Sequence, residues 1–335
     1  MYISYYLPHN ILKNDELEQL YNSPSWTAKK IYRKTGINQR HIAAQDETVS
    51  DMACNAAKQL FEEYNISPTN VDFVLLCTQS PDYFLPSTSC IIQNRLGILS
   101  SAGAFDFNLG CSGYIYGLSI AKGLISAKIA NNVLLLTADL YTKHIHRFDR
   151  STRTIFGDAA TATLITENDI PDIGEFVLGT DGGGYQNLII PSGGMALQPS
   201  EDTSIQTTDE SGNVRTKNNL YMNGPEIYAF TLRTVPDLVR SVLQKNALGR
   251  DEIDYFVLHQ ANSFMLESLR DKLDIPAEKF CIDIADTGNT VSSTVPLAIK
   301  RSQETGYLSK AYTKQKVLVA GFGVGYSWGA TVLTI

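Results

Sequence analysis

A single cysteine lies at a point of the sequence where thiol chemistry is favoured. Cys111 follows an apolar run at 104–109 that predicts a strand, and it precedes a stretch at 114–130 with apolar residues at helical spacing. A cysteine at such a junction lies at the positive end of the helix dipole, which lowers the pKa of the thiol and favours the nucleophilic thiolate. Gly110 and Gly113 would permit a tight turn and close approach of a substrate. Most cysteines are small buried hydrophobes, so position alone leaves a packing role open.

Two polar residues of the C-terminal half lie where α/β proteins place functional groups. His259 follows the apolar run 255–258, so we expect its side chain at the carboxyl end of a strand, facing a cleft. Asn289 lies in a Thr-Gly-Asn-Thr loop just before a predicted helix that spans 292 to about 303. Each has an ordinary structural alternative: a hydrogen-bonded core histidine for His259, and a helix cap or turn residue for Asn289.

Two further motifs suggest a cofactor or a metal, and their surroundings argue against both. The glycine-rich segment 321–325 follows a predicted strand at 317–320, but no helix follows it, as a dinucleotide-binding loop would require. The segment is better suited to offer backbone N–H groups to a cleft, as half of an oxyanion hole. His144 and His146 have no acidic or cysteine ligands at metal-binding spacing. We therefore predict neither cofactor nor metal.

The chain repeats one order of elements, which indicates how these residues are positioned. The segment 71–77 (VDFVLLC) resembles 253–259 (IDYFVLH), and each follows a predicted amphipathic helix, at 48–64 and 225–246 respectively. Further segments pair in the same order: 104–107 with 280–283, 132–136 with 316–320, and 157–162 with 329–333. Any two α/β halves look somewhat alike, but four matches in order favour a duplication. We predict a five-layer α-β-α-β-α fold of two similar halves that share one cleft.

The repeat also predicts the domain organisation. Residues 1–180 would form the N-terminal half with the nucleophilic cysteine, and residues 221–335 the C-terminal half with the histidine and the asparagine. The segment 181–220 interrupts the repeat and is rich in Gly, Ser, Thr and Asp, so it reads as a cap or linker. A connection of this length is either mobile or functional.

The composition excludes several classes of function. The chain has 335 residues, 43% of them hydrophobic and 19% charged, which is typical of a globular protein. Its net charge of −7 argues against nucleic-acid binding. No segment approaches the roughly 18 consecutive apolar residues of a membrane span. The five cysteines form no C-x-x-C pair, and residues 1–8 lack a basic leader, so we expect free thiols and a cytoplasmic location.

Taken together, the motifs along the whole chain resemble the ketoacyl-acyl-carrier-protein synthase III family of thiolase-like condensing enzymes. No single motif is decisive, but the ordered set is highly specific. The matching segments are 34–37 (KTGI), 40–43 (RHIA), 85–87 (LPS), 108–113 (NLGCSG), 155–158 (IFGD), 259–262 (HQAN), 288–290 (GNT), 321–325 (GFGVG) and 328–329 (WG).

The resemblance implies a catalytic triad of Cys111, His259 and Asn289. Cys111 would take an acyl group from a thioester, and a malonyl thioester would then lose carbon dioxide and attack the acyl-cysteine, giving a 3-oxoacyl thioester in fatty-acid or secondary-metabolite biosynthesis. His259 and Asn289 would stabilise the enolate, and the backbone N–H groups of Cys111 and Val324 would form the oxyanion hole. The reaction needs no cofactor and no metal.

The resemblance also implies residues and partners for the substrates. The partners would be acyl-coenzyme A or acyl-carrier protein, malonyl-acyl-carrier protein, and a second copy of the chain in a homodimer. Leu85 would line the acyl tunnel, reaching across the dimer. The remaining substrate-binding residues would be Arg153, Phe156 and Asn262, with Lys34 and Arg40 in a basic patch for coenzyme A or the carrier protein. Ordinary solvated surface is the alternative for such a patch.

Related chemistries lack support in the residues. A thiolase has a second cysteine in the glycine-rich segment 321–325, which is absent here, and no glutamate lies between Glu63 and Glu167 to act as the base of a hydroxymethylglutaryl-type synthase. A chalcone-synthase-like enzyme would have Pro-Gly-Gly after the histidine, whereas His259 is followed by Gln-Ala-Asn. Acyl transfer to an amine or alcohol without decarboxylation remains an alternative, and an intact triad argues against a non-catalytic subunit.

The chain departs from the family pattern around the substrate entrance. The tryptophan that stacks on the adenine of coenzyme A in housekeeping members is expected near Lys30, whereas the nearest tryptophan is Trp26. The family arginine that meets the carrier protein is replaced by Phe264, and the region 195–220 is longer than expected. These departures concern the acyl donor and leave the chemistry of the triad intact.

Overall fold

The computed structural model describes residues 1–308 and 314–335, and the bounds of its elements follow here. The β-strands are β1 (Tyr2–Tyr6), β2 (Asn10–Lys13), β3 (Gln39–Ile42), β4 (Phe73–Cys77), β5 (Gly103–Phe107), β6 (Asn132–Asp139), β7 (Ala159–Thr166), β8 (Val177–Thr180), β9 (Leu188–Ile189), β10 (Thr207–Thr208), β11 (Val214–Arg215), β12 (Tyr221–Met222), β13 (Tyr255–Leu258), β14 (Lys316–Gly323) and β15 (Ser327–Thr334). The α-helices are α1 (Asn14–Tyr21), α2 (Ala28–Thr35), α3 (Val49–Tyr64), α4 (Thr88–Arg95), α5 (Gly113–Ser126), α6 (Tyr141–His144), α7 (Arg150–Arg153), α8 (Gly224–Lys245), α9 (Ser263–Leu273) and α10 (Thr294–Glu304). Short 3-10 helices occupy Pro68–Asn70, Glu167–Asp172, Gly182–Asn187, Asp202–Ser204, Arg250–Glu252, Ala277–Lys279 and Val291–Ser293.

The principal helices begin at residues that can cap them. The Thr48 side chain accepts a hydrogen bond from the Asp51 N–H while the Asp51 carboxylate accepts one from the Thr48 N–H, so α3 begins with a capping box. The Asn223 side chain accepts from the Glu226 N–H, and Pro225 occupies the first turn of α8. Both helices lie within a residue or two of their predicted positions.

Two sheets repeat the same strand arrangement. The first has the order β1-β7-β6-β4-β5, with β4 parallel to both β5 and β6, and β7 antiparallel to β6 and to β1. The second has the order β13-β14-β15-β8, with β13 parallel to β14, and β15 antiparallel to β14 and to β8. Phe280 bridges Phe256 in parallel on the free side of β13, at the place that β5 takes in the first sheet. The predicted duplication is therefore confirmed.

The helices complete five layers around these sheets. Strands of both sheets contact α5 and α10, which therefore lie between them. On the outer side, α3 covers the first sheet and α8 covers the second. Because both faces of each sheet are covered, β4, β6 and β14 are almost wholly buried, and most of their residues are apolar. The architecture is the predicted α-β-α-β-α fold.

The predicted boundary at residue 180 needs a correction, because β8 (Val177–Thr180) pairs with β15 and so belongs to the second sheet. The region 181–220 is also ordered locally: β9 pairs with β12, and β10 with β11. Arg215 fixes the β10–β11 hairpin through ion pairs to Asp149, which is buried, and to Asp209. None of the helices in the described part of the chain is long and apolar enough to cross a membrane.

Candidate active site

A cavity of about 290 Å³ opens where the strand ends of the two halves meet. Its wall includes Cys111 from the N-terminal half and His259 and Asn289 from the C-terminal half. The structure thus brings together the three residues singled out in the sequence. The rest of the wall is mostly apolar, with side chains from α8 and α9 and with Phe322 of β14. Such a lining, with a few convergent polar groups, is typical of a substrate site.

Cys111 lies in the turn between β5 and α5, as predicted, and its side chain is nearly buried. The end of β14 packs directly against this turn. A Cβ atom added to Gly323 would lie 3.0 Å from the Cys111 sulfur, and one added to Gly321 would lie 2.5 Å from the Cys111 carbonyl oxygen. Only glycine therefore allows β14 to approach the cysteine this closely. These glycines lie within the strand, not in a loop, because they continue its pairing with β15.

The protonation state of the cysteine differs from the prediction. Burial, and then the nearby carboxylate of Asp139, raise the pKa of the Cys111 thiol, against the lowering expected from the helix N-terminus. The prediction of a resting thiolate is therefore wrong. Local sequence indicated the helix dipole, whereas the burial of the sulfur depends on elements from both halves. Burial therefore favours the protonated thiol.

His259 is held by groups from the Asn289 loop and from α10. Its Nδ1 lies 2.7 Å from the Thr294 hydroxyl oxygen, and its Nε2 lies 3.5 Å from the Asn289 side-chain nitrogen. Complete burial lowers the pKa of His259 to about 3, so the imidazole is neutral at physiological pH. A neutral ring carries one N–H, and the hydrogen bond at Nδ1 determines whether that proton lies on Nε2.

The Asn289 loop is anchored to the N-terminal half. The Asn289 N–H donates to the Ile155 carbonyl oxygen at 2.9 Å, and the Gly157 N–H donates to the Asn289 carbonyl oxygen at 3.0 Å. The Asn289 side-chain oxygen accepts from the Val291 N–H at 2.9 Å, which orients the side-chain NH₂ group. That NH₂ group is the part of the side chain nearest His259.

Asp139 provides a second anchor for this loop, and it was not identified in the sequence. Its buried carboxylate accepts hydrogen bonds from the N–H and hydroxyl of Ser292 and from the Gln79 N–H. Burial raises the pKa of Asp139 to about 7. Its position after the apolar run of β6 is the same signal that pointed to His259 after β13. Thr294, which follows Ser292 and Ser293, was also not identified, because no sequence pattern marks it as a site residue.

Three other predicted residues lie in or beside the cavity. Phe156 and Asn262 both line it. The Asn262 side-chain oxygen accepts from the Met265 N–H at 2.9 Å and so also caps α9, which leaves its NH₂ group for a ligand. Val324 follows Gly323 directly, and its side chain packs close to Gly110, in the turn that holds Cys111.

The basic residues of the predicted patch differ in their surroundings. Arg40 is 0% exposed, and its guanidinium donates to the carbonyl oxygens of Leu12 and Thr154 and to the Asn14 side chain. The assignment of Arg40 to a carrier or coenzyme patch is therefore wrong, because the side chain is a buried structural link. The ammonium group of Lys34 is on the surface, 4.7 Å from the centre of the Trp26 ring.

Arg153 and Leu85 do not line the cavity within a single chain. Arg153 ends α7 two residues before Ile155, and its Nε is buried without a hydrogen-bond partner. Leu85 is 83% exposed and lies beside Phe84 and Tyr83, which are also exposed. A role for Leu85 at an acyl tunnel therefore requires a second copy of the chain.

Comparisons with known proteins agree with the resemblance noted in the sequence. The family model described as 3-oxoacyl-[acyl-carrier-protein (ACP)] synthase III matches residues 105–182, and the model of its C-terminal part matches residues 243–335. The β-ketoacyl-[acyl-carrier-protein] synthase III of Methylococcus capsulatus is 36% identical and that of Lactococcus lactis subsp. lactis 34% identical. The alignments cover 98% and 99% of this chain and 96% and 98% of those relatives.

Solved structures support the same relationship. A crystal structure of a 3-oxoacyl-(acyl-carrier-protein) synthase III superposes with a TM-score of 0.96 and 49% sequence identity, covering 99% of this chain and 98% of that one. At this identity the likeness extends beyond the shared fold to the sequence of nearly the whole chain. The protein belongs to the 3-oxoacyl-[acyl-carrier-protein] synthase III family.

Proposed function

We propose that this protein condenses an acyl group held on Cys111 with the malonyl group of malonyl-acyl-carrier protein, with loss of carbon dioxide, in fatty-acid biosynthesis. The observation that carries the proposal is the convergence of Cys111, His259 and Asn289 on one apolar cavity in a member of this family. The names of the relatives supply the product class, a 3-oxoacyl group, and the carrier. Acyl transfer to an amine or alcohol is not favoured, because it would have no use for two side-chain donors directed at an enolate.

In the first half-reaction the Cys111 sulfur attacks the carbonyl carbon of an acyl thioester. A C–S bond forms to Cys111, the bond to the carrier sulfur breaks, and the cysteine proton passes to the departing carrier thiol. The backbone N–H groups of Cys111 and Val324 would stabilise the oxyanion that forms in between.

In the second half-reaction the malonyl thioester replaces the departed carrier. His259 Nε2 and the Asn289 NH₂ group would donate hydrogen bonds to its thioester oxygen as the bond to the carboxylate breaks. The electron pair of that bond forms an enolate, whose carbon attacks the acyl-cysteine. The C–S bond to Cys111 then breaks, and the sulfur takes up one proton from solvent, which balances the negative charge left by the departed carbon dioxide. The apolar wall favours decarboxylation because it solvates the departing carboxylate poorly.

Donation from His259 to the malonyl thioester oxygen requires the ring proton on Nε2. Thr294 is placed to determine which ring nitrogen carries that proton. The Thr294 hydroxyl lies 2.7 Å from Nδ1 and 3.0 Å from the Val291 carbonyl oxygen, and its single proton can serve only one of them. Donation to Nδ1 leaves the ring proton on Nε2. Replacing Thr294 with valine should therefore lower the decarboxylation rate by about 3- to 10-fold, measured as carbon dioxide release from malonyl-acyl-carrier protein.

The matched control is Thr294→Ser, which keeps the hydroxyl and should restore most of the rate. Equal losses in the serine and valine variants would contradict the tautomer argument, since packing alone would then explain them.

Lys34 is proposed to meet the phosphate of the incoming substrate, and Arg153, whose Nε is buried without a hydrogen-bond partner, to bind the substrate at the entrance. The end of α2 packs on the start of α9, where a Cβ on Gly36 would overlap the Ser263 side chain. The next residues of α9, Phe264 and Met265, line the cavity, so Lys34 lies near its entrance. Phosphate carries negative charge in both coenzyme A and the phosphopantetheine of a carrier protein, and either donor fits this arrangement.

A homodimer is proposed from the exposed apolar segment at Tyr83, Phe84 and Leu85. Light scattering coupled to size exclusion should give twice the chain mass of 36.9 kDa. Leu85→Asp should shift the protein toward monomer and lower its acylation rate, because a charge would be buried in the interface. Ile129→Asp, at another exposed apolar position, is the control and should leave the dimer intact. A wild-type monomer would contradict the proposal.

The cytoplasmic location of the protein stays a prediction from its cysteine content.

The proposed function is tested by giving the purified protein an acyl thioester and malonyl-acyl-carrier protein. We expect a 3-oxoacyl-acyl-carrier protein, identified by mass, and one carbon dioxide for each molecule formed. Acylation of the protein without any 3-oxoacyl product would overturn the proposal in favour of plain acyl transfer.

A further inference from the structure

One polar group in the cavity wall has no use in the mechanism above. Thr231 is 1% exposed, and its hydroxyl oxygen is buried without a hydrogen-bond partner. A threonine within a helix can satisfy its hydroxyl at the carbonyl oxygen four residues earlier, and Thr231 makes no such bond. Leaving a buried hydroxyl unpaired costs stability, so a partner is expected when the site is occupied.

Thr231 lines the cavity with its hydroxyl oxygen covered by neighbouring atoms, and rotation about its Cα–Cβ bond would turn that oxygen toward a ligand. Thr231 lies on the same face of α8 as Ile227 and Tyr228, which also line the cavity. The Tyr228 ring stacks on Phe264 with centroids 5.4 Å apart, and Phe264, at 58% exposure, belongs to the rim. Thr231 is buried one helical turn further along. A thioester that enters past Phe264 to reach Cys111 therefore passes this wall.

The hydroxyl also stands out chemically. Among the described residues that line the cavity, Thr231 contributes the one buried side-chain oxygen or nitrogen without a partner. Its neighbours in the wall include Ile227 and Met265, which offer no hydrogen bond. A hydrogen-bonding group of a ligand beside Thr231 would find the hydroxyl as its partner, and a hydrocarbon ligand would leave the hydroxyl unpaired.

We infer that the Thr231 hydroxyl binds a hydrogen-bonding group of the thioester substrate, and so favours thioesters with an amide or hydroxyl at this depth over purely hydrocarbon ones. The inference rests on the proposed function, which brings a thioester into this cavity. Two parts of the substrate could supply the group: an amide of the pantetheine arm that carries the acyl group, or a polar substituent of the acyl chain itself.

The test compares the wild type with Thr231→Val, which has the same shape without the hydroxyl, and with Thr231→Ser, which keeps it. Acylation of Cys111 is followed by intact mass with four butyryl-type substrates. Butyryl-pantetheine has arm amides, and S-butyl thiobutyrate has none. The 3-hydroxybutyryl thioesters of the same two thiols add a hydroxyl to the acyl chain. Binding of free pantetheine is measured separately by calorimetry, which needs no reaction.

We expect Thr231→Val to slow acylation about 3- to 10-fold with the substrates that carry the amide or hydroxyl bound by Thr231. Acylation by S-butyl thiobutyrate, which has neither group, should not change. A loss confined to the pantetheine thioesters, with equally weakened pantetheine binding, assigns the arm. A loss confined to the hydroxybutyryl thioesters assigns the acyl chain. Thr231→Ser should behave like the wild type in either case.

Equal rates in wild type and Thr231→Val with all four substrates would overturn the inference, and so would an equal loss with all four, which indicates packing. The proposed function fails differently. A wild type that becomes acylated but makes no 3-oxoacyl product contradicts condensation, while the acylation and binding results on Thr231 still decide the inference.

Discussion

Replacing Cys111 with alanine is expected to abolish acylation of the protein and to lower formation of the 3-oxoacyl product by at least about 10³-fold. Among the described residues of the cavity wall, Cys111 carries the one thiol, and the hydroxyls of Tyr228 and Thr231 are much weaker nucleophiles. Intact-protein mass spectrometry after incubation with an acyl thioester should show one added acyl group on the wild type and none on the variant. The substitution removes one atom from a site already bounded by Gly321 and Gly323, so the fold should be retained.

The control is Cys90→Ala, which removes the exposed cysteine on α4. Acylation should continue there at the wild-type rate. In Cys111→Ala, slow release of carbon dioxide from malonyl-acyl-carrier protein should also persist, because His259 and Asn289 remain. Full acylation of Cys111→Ala would show that the nucleophile lies elsewhere.

Removing either enolate donor should stop the second half-reaction while sparing the first. Asn289→Asp keeps the side-chain oxygen that accepts from the Val291 N–H, so the loop should hold its shape, but it replaces the donating NH₂ group with a carboxylate. His259→Ala removes the other donor. Each change should lower carbon dioxide release by about 10²- to 10³-fold. Asn289→Asp should still acquire an acyl group on Cys111. Asn131→Ala, at an exposed position, is the control and should match the wild type.

The pH dependence of carbon dioxide release gives a second test of His259 as a hydrogen-bond donor. Burial lowers the pKa of His259 from its ordinary value of 6.5 to about 3, so the imidazole stays neutral throughout the physiological range. From about pH 8 to about pH 5, carbon dioxide release should therefore not fall through protonation of His259. An inflection near pH 6.5 that disappears in His259→Ala would contradict a neutral, buried donor. Wild-type rates of release in both Asn289→Asp and His259→Ala would contradict the enolate mechanism itself.

The duplicated fold was predictable because its signals are local. The short apolar runs within 71–77 and 253–259 form the strands β4 and β13, and helix caps such as Thr48 fix where α3 begins. His259 was recognisable for the same reason, since it directly follows a buried strand. The assignment of β8 to the second sheet was not predictable, because its partner β15 lies about 150 residues further along the chain.

The properties that depend on three-dimensional surroundings were the ones that the sequence could not supply. Arg40 was expected in a basic surface patch because it lies close in sequence to Lys34 and other basic residues, yet its guanidinium donates to Leu12, Asn14 and Thr154. The Cys111 thiol was expected to be acidic from its helix, yet burial between the halves raises its pKa. Thr231 gave no signal, because an unpaired hydroxyl becomes visible only when its neighbours are known.

The most direct measurement of the central claim follows the free carboxyl carbon of the malonyl group. Malonyl-acyl-carrier protein labelled with carbon-13 at that position is mixed with enzyme that has been acylated on Cys111. The account predicts that all of the label leaves as carbon dioxide, in step with 3-oxoacyl product that contains none, and that Asn289→Asp suppresses both together. Label retained in the product, or product formed without carbon dioxide, would contradict decarboxylative condensation at this site.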